Sequence, residues 1–147
     1  MRSSRLPAAA SRLAAALALV AGLAMPLAAQ AASVKLGATL SGTNEPGGGD
    51  ADGAGTFVVE IDPDAGDVCY TVKSTNIAAP TMAHVHAGAA GVNGAPVLTI
   101  DPKGDDECIA AEPAVLKPIV NNPAGFYVNI HTADFPAGAI RGQLEKR

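Results

Sequence analysis

The 147-residue chain has no tryptophan, three phenylalanines and two tyrosines, which excludes an interior built on large aromatic side chains. Valine, isoleucine, leucine and alanine must fill the core instead, and such a core gains from a covalent staple. Basic clusters are missing as well. All 14 acidic residues but only 7 of the 10 basic ones lie beyond residue 31, giving that part a net charge of −7. Nucleic-acid binding, which rests on neutralising phosphates, is therefore not expected. Beyond residue 31 no apolar run approaches the ~20 residues of a membrane span, so none is expected there. Marks of hydrolytic catalysis are equally scarce. There is no G-x-S-x-G elbow, and no free thiol stands near a histidine in sequence. The Asp105-Asp106-Glu107 run falls in an expected loop, where nothing sets carboxyl groups apart in pKa. The expectation is a protein that is not an enzyme.

What is present begins with Arg2, Arg5 and Arg12, the apolar stretch LAAALALVAGLAM, and the small-residue tripeptide Ala29-Gln30-Ala31. A basic start, a short apolar run and an A-x-A site are the parts of a secretory signal peptide, expected over residues 1–31. Residues 32–147 are then a single exported domain, secreted or periplasmic, of ordinary size. Its only cysteines are Cys69 and Cys108. In an exported protein these are expected to form a disulfide, the alternative being two buried free thiols.

No helical period exceeds two turns, whereas short alternating runs recur between Gly, Pro, Asn and Asp. That pattern predicts an all-β fold, an antiparallel Greek-key β-sandwich or barrel of about seven or eight strands. Strands are expected at residues 33–40, 56–61, 68–73, 81–87, 95–100, 126–132 and 139–144. The second and third read as a hairpin across Asp62-Pro63-Asp64-Ala65-Gly66. The glycine-rich stretch 41–55 is expected to be a mobile loop. Between residues 101 and 125 four prolines forbid a long regular element, leaving a helical turn or an edge strand for residues 114–120.

Side chains two apart on a strand share a face. In TMAHVHA, Ala83 and Val85 form the apolar set, so Met82, His84 and His86 point the other way. In FYVNIHT, Phe126, Val128 and Ile130 are apolar, with Tyr127, Asn129 and His131 opposite. In AIRGQLE, Ile140 and Leu144 oppose Arg141, Gln143 and Glu145. All three histidines of the chain and Arg141 are thus expected on the non-core side, and they meet only if their strands are neighbours. Three neutral imidazoles suffice for an open copper or zinc site. The competing expectation is a polar cluster in which the rings bond to Thr132, Asn129 or backbone carbonyls. Tyr127, Asn129 and Arg141 are the supporting polar residues in either case. Arg141 is expected to form a salt bridge to Asp134 on the preceding turn, or to hold an anion.

With these residues placed, the chain resembles the chordin-type (CHRD) domain family. The matching segments are Asn44-Glu45-Pro46; Ala83-His84-Val85-His86-Ala87-Gly88 with Gly91 and Asn93-Gly94; Tyr127-Val128-Asn129-Ile130-His131-Thr132; and Gly138-Ala139-Ile140-Arg141-Gly142-Gln143-Leu144. The resemblance implies a secreted β-sandwich module with no activity of its own established. In animal chordins the repeated domain belongs to growth-factor-binding proteins; for a lone domain the partner is an unspecified extracellular or periplasmic protein or ligand. Ala139 stands where the family often carries an acidic residue, and the two cysteines lie outside these motifs. A weaker resemblance links the H-x-H pair and late arginine to copper/zinc superoxide dismutase. Three histidines are too few for its two-metal site, so a single metal is the most they could hold. Two functions follow as expectations: a non-enzymatic binding or structural module, or a periplasmic copper- or zinc-binding protein using His84, His86 and His131.

Overall fold

The computed structural model describes residues 32–147, so the expected signal peptide lies outside the described residues. Among the described residues nine strands form one antiparallel sheet: β1 (Val34–Ser41), β2 (Ala54–Asp62), β3 (Asp67–Thr75), β4 (Pro80–Ala87), β5 (Pro96–Ile100), β6 (Glu107–Ala110), β7 (Phe126–Thr132), β8 (Ile140–Gln143) and β9 (Glu145–Lys146). Eight run in the order β5-β4-β7-β8-β1-β2-β3-β6 and curl into a half-barrel, with β9 paired to β1. The all-β sandwich or barrel class expected from the alternation is what forms.

Alternation decides which side of each strand enters the concave interior. Phe57, Val59 and Ile61 of β2 and Val68, Tyr70 and Val72 of β3 are buried there, as are Leu36, Ala38 and Leu40 of β1. Fully burying a Leu, Ile, Val or Phe side chain contributes about 1.5–3 kcal/mol, so these three strands carry much of the stability.

Two elements between residues 101 and 125 go beyond the expectation. Residues 113–121 form a helix, α1 (Pro113–Asn121), with proline in its first turn and a second proline, Pro118, inside it. Proline at a helix start loses no hydrogen bond, and burial of Leu116, Ile119 and Val120 in the open side of the half-barrel offsets the cost of the inner one. The other is β6, which has no hydrophobic alternation to announce it and takes in Glu107, expected in a loop. It pairs with β3 at the sheet edge, where Cys69 stands opposite Cys108 and the two are joined in a disulfide.

The glycine-rich stretch is not the free loop expected. A 3-10 turn at Gly42–Asn44 starts it. Backbone bonds then fasten it, Gly42 N–H to the Gly53 carbonyl and Asp50 N–H to the Ala139 carbonyl, and Glu45 is buried. It covers the outer face of β8, and with residues 88–94 and 133–138 it turns that face into a second, polar interior.

Candidate metal centre

The adjacency on which the histidines depended is present. β4 and β7 are antiparallel neighbours, with Met82 opposite His131, His84 opposite Asn129 and His86 opposite Tyr127. Ala83, Val85, Val128 and Ile130 enter the apolar core, so the alternate residues gather on the other side. Strand β7 is accordingly buried on both faces along residues 127–132.

The ring centroids of His84 and His131 are 5.2 Å apart, those of His84 and His86 5.5 Å, and those of His86 and His131 6.5 Å. One ring nitrogen from each of the three lies within 4.8 Å of the other two. His84 Nδ1 and His131 Nε2 are 3.2 Å apart. Two ligands on a tetrahedral ion at metal–nitrogen distances of ~2.0–2.1 Å stand ~3.3 Å from each other, so this pair already has the spacing of a shared ion. His86 must approach by up to about 1.5 Å to complete the set, a shift within rotamer and backbone adjustment.

Hydrogen bonds select which nitrogens are free. His86 Nδ1 donates to the Gly94 carbonyl at 2.9 Å, and His131 Nδ1 donates to the Pro136 carbonyl at 3.0 Å. Each therefore keeps its lone pair on Nε2, the arrangement by which carbonyls orient histidine ligands. His84 Nδ1 then donates to His131 Nε2. His86 Nε2 is left buried with no hydrogen-bond partner. A buried acceptor without a donor costs about 1–3 kcal/mol, and an ion would remove that cost.

Burial lowers the pKa of both His84 and His131; neighbouring imidazoles lower them further, while the Pro136 carbonyl partly opposes the shift at His131. Both rings are thus biased to the neutral, ligating form.

The supporting residues form a chain behind His86. Tyr127 stacks on its ring at 4.7 Å and 3° between planes, and the Arg141 guanidinium carbon lies 3.3 Å from the centre of the Tyr127 ring. The Tyr127 hydroxyl accepts from Gly94 N–H at 3.2 Å, fixing the residue whose carbonyl orients His86. Gly94 has no room for a side chain, since a Cβ there would stand 1.5 Å from the Ala87 carbonyl oxygen.

Arg141 departs from its expected role. It is 2% exposed and makes no ion pair with Asp134 among the described residues. Its Nη1 donates to Asn93 Oδ1 at 3.0 Å and its Nη2 to the Ala89 and Val92 carbonyls at 3.2 and 2.5 Å, clamping the loop that carries Gly94. Parity placed Arg141 on the correct face, but no parity rule says that a loop will cover it. An arginine sealed from water takes carbonyl partners in place of an exposed acid.

No site role was expected for Glu45, although it lies in one of the quoted motifs. Burial raises the pKa of its carboxyl group, with the Arg141 charge and the Asn129 amide pulling it back down. Glu45 Oε1 and Asn129 Oδ1 are both buried without a partner. Gly138, at φ +143, leaves room for this carboxyl, which a Cβ there would meet at 2.2 Å. Backbone carbonyls were among the expected partners of the rings, but that they belong to Gly94 and Pro136 was not legible, since no residue type encodes a carbonyl's direction.

The sequence model of the CHRD domain family matches residues 36–144. No curated protein and no solved structure matches the chain. Among the described residues no helix is long and apolar enough to cross a membrane.

Proposed function

This chain belongs to the CHRD domain family, and on that footing we propose that it is an exported, non-enzymatic module binding one copper or zinc ion through His84, His86 and His131. The observation that carries the proposal is the orphaned Nε2 of His86, held in a buried ring whose other nitrogen is already committed to Gly94. In a merely structural cluster that nitrogen would be expected to find a donor. Its ring instead lies beside those of His84 and His131, with one nitrogen of each of the three within 4.8 Å of the others.

His86 Nε2, His131 Nε2 and His84 Nδ1 would hold the ion; His84 supplies its lone pair once its proton resides on Nε2. A three-imidazole set leaves a coordination position open, so the ion would supply Lewis acidity or, if copper, one-electron redox capacity. The protein's own part is to orient two of the rings through carbonyls and to keep water from their inner side. Export is supported by the basic, apolar and A-x-A parts of residues 1–31 and by the Cys69–Cys108 disulfide, which is compatible with an extracellular or periplasmic location.

One observation favours a second reading. The His84–His131 hydrogen bond satisfies both rings without an ion, as in a polar cluster that only fastens β4 to β7. Elemental analysis of protein purified from its exported compartment separates the two. Stoichiometric metal, lost in a folded His84→Ala, His86→Ala variant, is expected. Protein that carries none and takes up neither zinc nor copper at micromolar concentration refutes the metal reading.

A further inference from the structure

We propose that Met82 is a fourth, soft ligand of the three-histidine site and makes it selective for cuprous copper over zinc; the proposal rests on the metal reading given above. Met82 shares the outer face of β4 with His84 and His86, because Ala83 and Val85 between them enter the core. It is also the register partner of His131 across β4 and β7. Directly opposed residues place their Cβ atoms ~4.5–5.5 Å apart, and the thioether sulfur is only two bonds further on. Met82 thus borders two of the three imidazoles, one along its strand and one across.

Exposure shows which side of the cluster is open. His86 and His131 are buried at 8% and 7% exposed, and Tyr127 seals His86 from behind. His84 is half-buried, and Met82 is 48% exposed. Any ion or added ligand reaches the rings past the Met82 end of β4. Met82 takes no part in the apolar core, so its flexible side chain is free to turn toward the rings.

The charge of the site agrees. The ligand group contains no carboxylate and no thiolate, so a bound ion keeps its full formal charge. Burying a charge costs more as that charge rises, and the Arg141 cation stands behind Tyr127. A neutral, partly buried donor set therefore suits a monovalent ion better than a divalent one. Thioether sulfur prefers Cu(I) on softness and adds little for zinc.

The test is anaerobic titration with Cu(I) under competition by a chelator, and separately with Zn(II), of the full exported protein and its Met82→Leu variant. Leucine keeps the volume and removes the sulfur at an exposed position, so folding is unaffected. One Cu(I) per chain is expected, with a copper–sulfur shell beside the nitrogen shell in X-ray absorption. In Met82→Leu that shell should vanish and Cu(I) affinity fall roughly tenfold or more, with Zn(II) affinity changed by less than about twofold. Equal Cu(I) affinity and the same absorption spectrum in both proteins overturn the role of Met82 and leave the three-histidine site standing. Wild-type protein that binds neither ion overturns the site itself.

Discussion

Arg141→Met tests whether a single buried cation holds the polar interior together. Methionine retains most of the volume, so the cavity contribution is small. What is lost is electrostatic: the Asn93, Ala89 and Val92 oxygens lose their donors, Tyr127 loses the cation on its ring, and Glu45 loses its countercharge. Hydrogen bonds to a charged group contribute about 1.5–3 kcal/mol each, but three that share one side chain and one loop do not add. Removing one member of a buried charged set costs about 3–5 kcal/mol, and that is the expected loss. For a domain of this size it lowers Tm by roughly 12–20 °C. Urea unfolding of metal-free protein should show the midpoint falling with an unchanged slope. Because the clamped loop carries the Gly94 carbonyl that orients His86, metal affinity should also fall, by about 10–100-fold. Arg141→Lys keeps the charge but not the fork, and should recover only part of both losses. A loss below about 1 kcal/mol, the range of an exposed ion pair, would refute the account of Arg141 as a buried clamp.

Two further outcomes are expected. His84 and His131 have pKa values below the ordinary 6.5, so the unfolded chain binds more protons than the folded one as pH falls through that value. Metal-free protein should therefore hold full stability well above pH 6.5 and lose it progressively as pH falls through that value, seen as a urea midpoint level near about pH 8 and falling between about pH 7 and 5.5. Glu45, shifted upward, acts in the opposite sense nearer its ordinary value of 4.5. A midpoint constant between about pH 7 and 5.5 would show that burial of the rings is not felt. Reduction of Cys69–Cys108, separated by 39 residues, should cost about 4 kcal/mol in the loop-entropy model and release β6 from the edge of β3. Amide exchange measured on reduced and oxidised protein checks this. Unchanged protection of residues 107–110 after reduction would show that ladder pairing alone holds the edge.

How much of this was written in the sequence depends on which physical rule each residue obeys. Parity is local and strong, so His84, His86, His131, Tyr127, Asn129 and Arg141 could be assigned to one side of their strands without coordinates. Their convergence could not, because the pairing of β4 with β7 joins segments about 45 residues apart and skips β5, β6 and α1. The disulfide was readable from export and count; the strand it fastens, Glu107–Ala110, was not, since its residues are mostly exposed and carry no apolar alternation. Helix α1 stayed open between a helical turn and an edge strand for a related reason. Two prolines weigh against a helix locally, and only the open mouth of the half-barrel, a tertiary feature, lets Leu116 and Ile119 outweigh them. The largest gap lies in the covering loops. They turn a solvent face into an interior, and so convert Arg141 from a surface cation into a clamp and Glu45 into a buried carboxyl. Neither change alters a residue type or a spacing. Composition and period therefore predict the scaffold and the face, while the chemistry of that face depends on what folds over it.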